Sequence, residues 1–265
     1  MKRYLVLMFL TAGVLAACNN EPVEETTEEE TPAEETDNQS NTDSEAEEES
    51  GESDEGSDES SENTDVDLTA EGIIDESIRQ YGDTLSYEMR HNYVISSGDD
   101  EEEIRLITTR SDQNELKVDV NTPDDTFSHY IIEGEHFIYI DGDFEFQEED
   151  VDISGSSYGD IVSGLEPFKD ASFSETEDGY VLTKTIENDE AFAELLPEEL
   201  ISEIPEGGAE GTIELLFNND FQFNGSNLDV TLEEDGETYQ LTSNSTIRGV
   251  GTLDVIEKPN GMSEQ

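Results

Sequence analysis

Five dipeptides constrain the fold of this 265-residue chain more than any other feature: Glu133-Gly134, Asp141-Gly142, Asp178-Gly179, Asn224-Gly225 and Asp235-Gly236. Pairs of this kind adopt the positive φ angles of tight two-residue loops, and such loops join only antiparallel strands. The segments around them alternate in polarity. Tyr87, Met89, His91, Tyr93 and Ile95 are interleaved with Glu88, Arg90 and Asn92, the period of a half-buried strand. By the same signal, strands are expected over residues 103–110, 115–121, 127–132, 136–140 and 143–147. A second group is expected over 172–176, 180–186, 212–218, 221–223, 227–233, 238–245 and 251–256.

Three stretches follow the helical period instead. Residues 68–81 place Ile74, Ile78 and Tyr81 on one stripe, with Thr69 positioned as N-cap. Residues 158–168 form a weaker helical segment. In 189–204, Phe192, Leu195, Leu196 and Leu200 share a stripe that Pro197 breaks. A helix, a run of strands, helical insertions and further hairpins make an α+β pattern, with helices on one face of a large sheet.

The order of these elements, with the run Phe137-Ile138-Tyr139-Ile140-Asp141-Gly142 and a last strand closing in Val255-Ile256-Glu257-Lys258-Pro259, resembles the lipoproteins of the LolA/LppX-like superfamily. Gram-positive members are the nearest likeness. The resemblance implies a strongly curved antiparallel sheet, an unclosed barrel, with helices packed on the concave face and an apolar cavity between. It implies a hydrophobic ligand, a lipid, lined by Tyr87, Met89, Tyr93, Phe127, Phe137, Tyr139, Phe144, Phe146, Phe192, Leu195 and Leu196. Residues alone leave a second reading open, in which the same side chains form an ordinary closed core.

Ahead of this domain, assigned to 66–265, lies a segment that cannot build a core. Residues 19–65 hold 21 Asp or Glu, no Lys or Arg, no aromatic residue, and Val23 as their one sizeable apolar residue. Too little apolar surface is available there to offset the entropy of ordering, so a disordered acidic linker is expected over 18–65. As a flexible coil it would span about 40 Å, and fully extended about 160 Å.

The first residues explain what the linker is tied to. Lys2 and Arg3 precede the apolar run from Tyr4 to Leu10, and Leu15-Ala16-Ala17-Cys18 closes the segment. This is the layout of a signal peptide, 1–17, too short in apolar residues to remain as a membrane span. Its last four residues resemble the lipobox of bacterial lipoproteins, which implies lipidation of Cys18, with diacylglycerol on its sulfur. Two acyl chains anchor a protein stably where one does not. Cys18 is the single cysteine of the chain, so an intramolecular disulfide is excluded. The expected location is the extracellular face of the cell membrane.

Charge narrows the partners further. The chain has 71 acidic and 11 basic residues. Setting aside the linker's 21 acids and the two basic residues of the signal leaves 50 against 9 in residues 66–265. So large an excess repels nucleic acid, which needs clustered Lys and Arg. It also favours an environment that screens charge, as a salt-tolerant or halophilic bacterium would meet.

No motif points to chemistry. His91, His129 and His136 fall in three expected strands without zinc-ligand spacing. The serines lack a Gly-x-Ser-x-Gly or Ser-x-x-Lys context, and 154–159 lacks the Lys of a phosphate loop. Asp220-x-Gln222-x-Asn224-Gly225 begins like a calcium loop but has Thr231 where the bidentate Glu belongs, and reads better as a hairpin. A non-enzymatic, membrane-anchored lipoprotein without cofactor or metal is therefore expected. Its ligand, as the resemblance implies, is expected to be a lipid; alternatively its sheet face or edge docks another envelope protein.

Overall fold

The computed structural model describes residues 68–148, 151–193, 208–234, 236–259 and 262. Helix α1, Ala70–Tyr81, starts where expected: the Thr69 side chain accepts a hydrogen bond from the Gly72 amide, 3.1 Å, satisfying one of the orphan donors of the first turn. Its buried stripe includes Ile73 and Ile74, both fully enclosed. Each contributes about 2 kcal/mol by leaving water.

Six strands follow as a meander: β1 (Tyr87–Ser97), β2 (Asp100–Arg110), β3 (Leu116–Asn121), β4 (Thr126–Ile132), β5 (Glu135–Ile140) and β6 (Asp143–Gln147). The loops Glu133-Gly134 and Asp141-Gly142 have both φ values positive, 56° and 83°, then 53° and 96°, as the tightest hairpins demand. Next come a short helix α2 (Tyr158–Ser163), a 3-10 turn (Glu166–Phe168), strands β7 (Ser172–Thr176) and β8 (Gly179–Ile186), and helix α3 (Asp189–Ala193). Strands β9 (Ala209–Asn218), β10 (Phe223–Glu234) and β11 (Glu237–Arg248) complete the sheet.

All strands among the described residues belong to one antiparallel sheet in the order β6-β5-β4-β3-β2-β1-β11-β10-β9-β8-β7. The first six run outward from the centre and the last five return to it, so β1 pairs with β11 in the middle and β6 and β7 form the two edges. Among the described residues the sheet is not closed into a barrel. Twisted open sheets of this width curl, and the α+β architecture expected from the sequence is the one observed.

Register divides the side chains between two faces. Tyr87, Met89, His91, Tyr93 and Ile95 lie opposite Arg110, Thr108, Leu106, Ile104 and Glu102. The same face continues through Leu116, Val118 and Val120 on β3 and through Ile247, Ser245, Ser243 and Leu241 on β11. The helices cover this face. Ile73 and Ile74 of α1 and Tyr158 and Val162 of α2 pack with Tyr87, Leu182, Leu215, Phe217 and Ile247. Ile153, in the connection from β6 to α2, packs over Ile104, Leu106, Leu116, Val118, Val120 and Ile131. Phe192 of α3 packs with Ile186, Ala209 and Val230.

Two expected elements take another form. Asn224-Gly225 is a bulge inside β10 rather than a hairpin loop, and residues 221–223 are not a separate strand. The turn lies just before it. The Asn218 carboxamide oxygen accepts from the Asp220 and Gln222 amides, both 2.9 Å, and Phe221 sits at φ 59°. Gly225 is required because a Cβ there would stand 2.1 Å from the Ser245 carbonyl of β11. Residues 251–256 do not join the sheet as a strand. Their hydrogen bonds go to loops at the strand ends: Gly251 N to Ser86 O at 3.0 Å, Asp112 N to Leu253 O at 2.9 Å, and Ile256 N to the buried Glu115 carboxylate at 2.8 Å. This tail carries Ile256 onto the sheet's other face, where it packs with Tyr130, Ile132 and Phe137. Of the helix expected over 189–204, residues 194–204 lie outside the described residues.

Candidate functional site

The helix-covered face is apolar at both ends and polar in its middle. On β1, His91 and Tyr93 stack with ring centroids 4.3 Å apart. The Tyr93 hydroxyl is 3.1 Å from His91 Nδ1, and His91 Nε2 is 3.0 Å from the Ser243 hydroxyl of β11. Ser245, one register step along, accepts from the Ser226 amide at 2.7 Å, and its hydroxyl lies 2.9 Å from that of Ser226. Burial pushes the His91 imidazole down to about 4 and the Tyr93 phenol well above its usual range. His91 is therefore neutral at ordinary pH. One ring nitrogen donates and the other accepts, so the cluster is a chain of uncharged hydrogen-bonding groups.

Beyond this cluster, on the same face, Ile95 of β1 stands opposite Leu241 of β11, which stands opposite Val230 of β10. Ile95 and Leu241 are half-buried, and neither belongs to the clusters under α1 and α2, under Ile153 or under α3. They form an apolar strip next to the polar cluster. Mostly apolar lining with a few convergent polar groups is the usual make-up of a ligand site.

Of the residues expected to line one surface, the sheet brings together Tyr87, Met89, Tyr93 and Phe127, all on the helix-covered face. Tyr87 is sealed in the core against Tyr158, whereas Met89, Tyr93 and Phe127 are half-buried. Phe192 is on this face too, closed into the cluster under α3. Phe137, Tyr139, Phe144 and Phe146 do not belong to that surface. Phe137 pairs with Tyr130, which pairs with Lys117, and these positions alternate with the helix-facing ones, so all four aromatics point to the opposite face. Leu195 and Leu196 lie outside the described residues, as does Cys18.

The histidines show what pattern reading missed. All three occupy the helix-covered face. His129 and His136 stack at 5.3 Å, with His129 Nδ1 3.0 Å from His136 Nε2. Burial, and then His136, lower the His129 pKa. Among the described residues no group of three or more His, Cys, Asp or Glu is placed to hold a metal ion. No helix among them is long and apolar enough to cross a membrane.

No family model matches the chain, and no curated protein matches it. Solved structures do. The chain is similar to LprF from Mycobacterium bovis, at 12% identity over 72% of this chain and 96% of that one, with a TM-score of 0.36. It is also similar to a LolA superfamily protein from Nitrosomonas europaea, at 9% identity over 69% of this chain and 94% of that one, with a TM-score of 0.25.

Proposed function

We propose that this chain is an extracytoplasmic lipoprotein whose domain, residues 66–265, holds a hydrophobic ligand, a lipid, against the helix-covered face of its sheet without transforming it. The carrying observation is the half-buried strip of Ile95 and Leu241 beside the neutral His91–Tyr93–Ser243 cluster. An acyl chain laid on the strip would bury apolar surface at about 25 cal/mol per Å². Hydroxyl and imidazole groups next to it would satisfy the polar end of the same molecule. Removal of the signal segment 1–17, diacylglycerol on Cys18 and the acidic linker up to residue 65 would place the domain on the outer face of the membrane.

Native mass spectrometry of the chain purified in molar NaCl, followed by organic extraction, tests the reading. Lipid is expected to co-purify with the wild type and to be lost from Leu241→Glu, which puts a charge in the strip. Wild-type protein that is folded and free of lipid, when purified from its own membrane, would sink it. Lipidation is tested separately: Cys18→Ala should move the chain from the membrane fraction to the soluble one.

A further inference from the structure

The outermost strand of the sheet, β6, presents two unlike faces along one edge. Register with β5 directs Asp143 and Glu145 to the helix-covered side and Phe144 and Phe146 to the opposite side. No strand among the described residues pairs with the outer side of β6, so every second residue has its N–H and C=O turned outward, ready to pair. Natural sheets blunt such edges with short strands, charged side chains, Pro or a bulge. On the five-residue β6 the charges are Asp143 and Glu145, which repel another acidic strand and leave the edge open to a basic one. Residues 143–147 contain no Lys and no Pro, and the β5–β6 register has no break. Instead an aromatic surface runs up to the edge. Phe146 is 50% exposed and Tyr139 37%, with Phe146 5.6 Å from Phe137 and Tyr139 4.7 Å from Phe144, centroid to centroid. The inner part of this surface is already occupied by the tail: Ile256 and Met262 pack on the cluster of Tyr130, Ile132 and Phe137, and Lys258 holds the tail 2.6 Å from Glu133.

Charge selects what fits beside the remaining outer part. Residues 141–150 contain six acidic residues and no basic one, and neither Asp143 nor Glu145 has a basic partner among the described ion pairs. A second copy pairing antiparallel about the middle of β6 would set Glu145 against Glu145, and like charges directly opposite oppose pairing. We propose that β6 takes up, by strand addition, an extended segment of a partner protein in which basic residues alternate with apolar ones. The apolar side chains lie along Phe144, Phe146 and Tyr139, and the basic ones along Asp143 and Glu145. Backbone hydrogen bonds supply affinity in this mode, and alternate side chains supply specificity.

The probe is a labelled nonapeptide alternating lysine and valine, titrated by fluorescence anisotropy into the purified full chain at about 0.15 M salt, where charges still reach about 8 Å. Two controls share its composition: one with the lysines and valines in separate blocks, and one N-methylated at alternate residues so that it cannot pair. The alternating peptide is expected to bind at least about tenfold more tightly than either control. That margin should collapse in Phe146→Ser and in Glu145→Lys, two changes on exposed side chains that leave the melting temperature within a few degrees. Equal binding of all three peptides would reduce the effect to attraction by the acidic chain at large and overturn the proposal. So would a margin unchanged in both variants. Concentration-dependent dimerisation abolished by Phe146→Ser would assign the edge to a second copy and overturn it as well.

Discussion

At the scale of single residues, the middle of the helix-covered face places polar groups where strand patterning predicts apolar ones, and His91 is the most consequential of them. Its folded pKa of about 4 lies below the ordinary value of 6.5, so the unfolded chain binds the proton more readily. Stability from this group is complete above about pH 6.5 and is lost as pH falls toward 4. Between pH 7 and 5 the loss is about 2 kcal/mol. Carboxylates titrate in the same range, so the effect is read as a difference: chemical denaturation should show the wild type losing about 2 kcal/mol more than His91→Gln over that interval. Equal losses would remove His91 as the cause. Elsewhere, Tyr158 is fully buried and donates to the Phe223 carbonyl at 2.8 Å. Tyr158→Phe leaves that carbonyl unsatisfied and should lower unfolding free energy by about 1–2 kcal/mol with no change in fold, measured by urea titration. Parts of these contacts were legible. A two-residue loop at Glu133-Gly134 sets residue 132 against 135, so 129 and 136 are diagonal neighbours on one face, and the His129–His136 contact follows from the turn alone. The Tyr93–Ser243 and His91–Ser245 pairings were not, because no local signal sets the register of strands some 150 residues apart.

At the scale of elements, local signals predict well whatever is decided locally. Thr69 as N-cap, the stripe of α1 and nearly every strand of the first meander follow from periodicity and turn chemistry. Where a neighbouring strand decides, they mislead. Asn224-Gly225 has the composition of a hairpin loop, yet the closeness of the Ser245 carbonyl makes it a bulge. The four aromatics on β5 and β6 alternate correctly, but which face is inside depends on registers through β2, β3 and β4. The union of α1 and α2 is another long-range decision. The Tyr158 and Gly159 amides donate to Leu85 and Thr84 carbonyls, at 3.1 and 2.8 Å, and a Cβ on Gly159 would stand 1.9 Å from the Gly82 carbonyl. Gly159→Ala must therefore push the two helices apart. A loss of about 3 kcal/mol or more is expected in denaturant unfolding, since the obstacle is backbone and cannot rotate away. In the same helix, Ser157 and Asp160 form a reciprocal cap, with amide bonds of 2.9 and 3.0 Å. Ser157→Ala should cost about 1 kcal/mol, a third or less of the glycine effect. If the two losses were similar, the close approach of the helices would not be what Gly159 serves.

At the scale of the whole molecule, the acidic excess sets an expectation for how stability depends on salt. Residues 66–265 carry 50 acidic residues and 9 basic ones. Eight of those nine stand in ion pairs: Arg79, Arg90, Arg105, Lys117, Lys169, Lys184, Arg248 and Lys258. Arg110, the ninth, is buried and bonds Asn114. The cations are thus used up by near neighbours, and about 40 carboxylates are left to solvent ions for screening. Folding gathers them, so it is opposed by repulsion that salt weakens. The range of that repulsion falls from about 30 Å at 0.01 M salt to about 8 Å at 0.15 M and about 3 Å at 1 M. The melting temperature should accordingly climb by about 10 °C or more between 0.01 and 1 M NaCl, with most of the gain below about 0.3 M. A solvent-exclusion effect on the core would instead grow in proportion to concentration, and sucrose would reproduce it. Scanning calorimetry across the series separates the two by the curve's shape. A steep early rise absent in sucrose assigns the effect to the carboxylates; a midpoint that does not move would mean that the acidic surface costs the folded state nothing, and the expected need for a saline environment would fall with it.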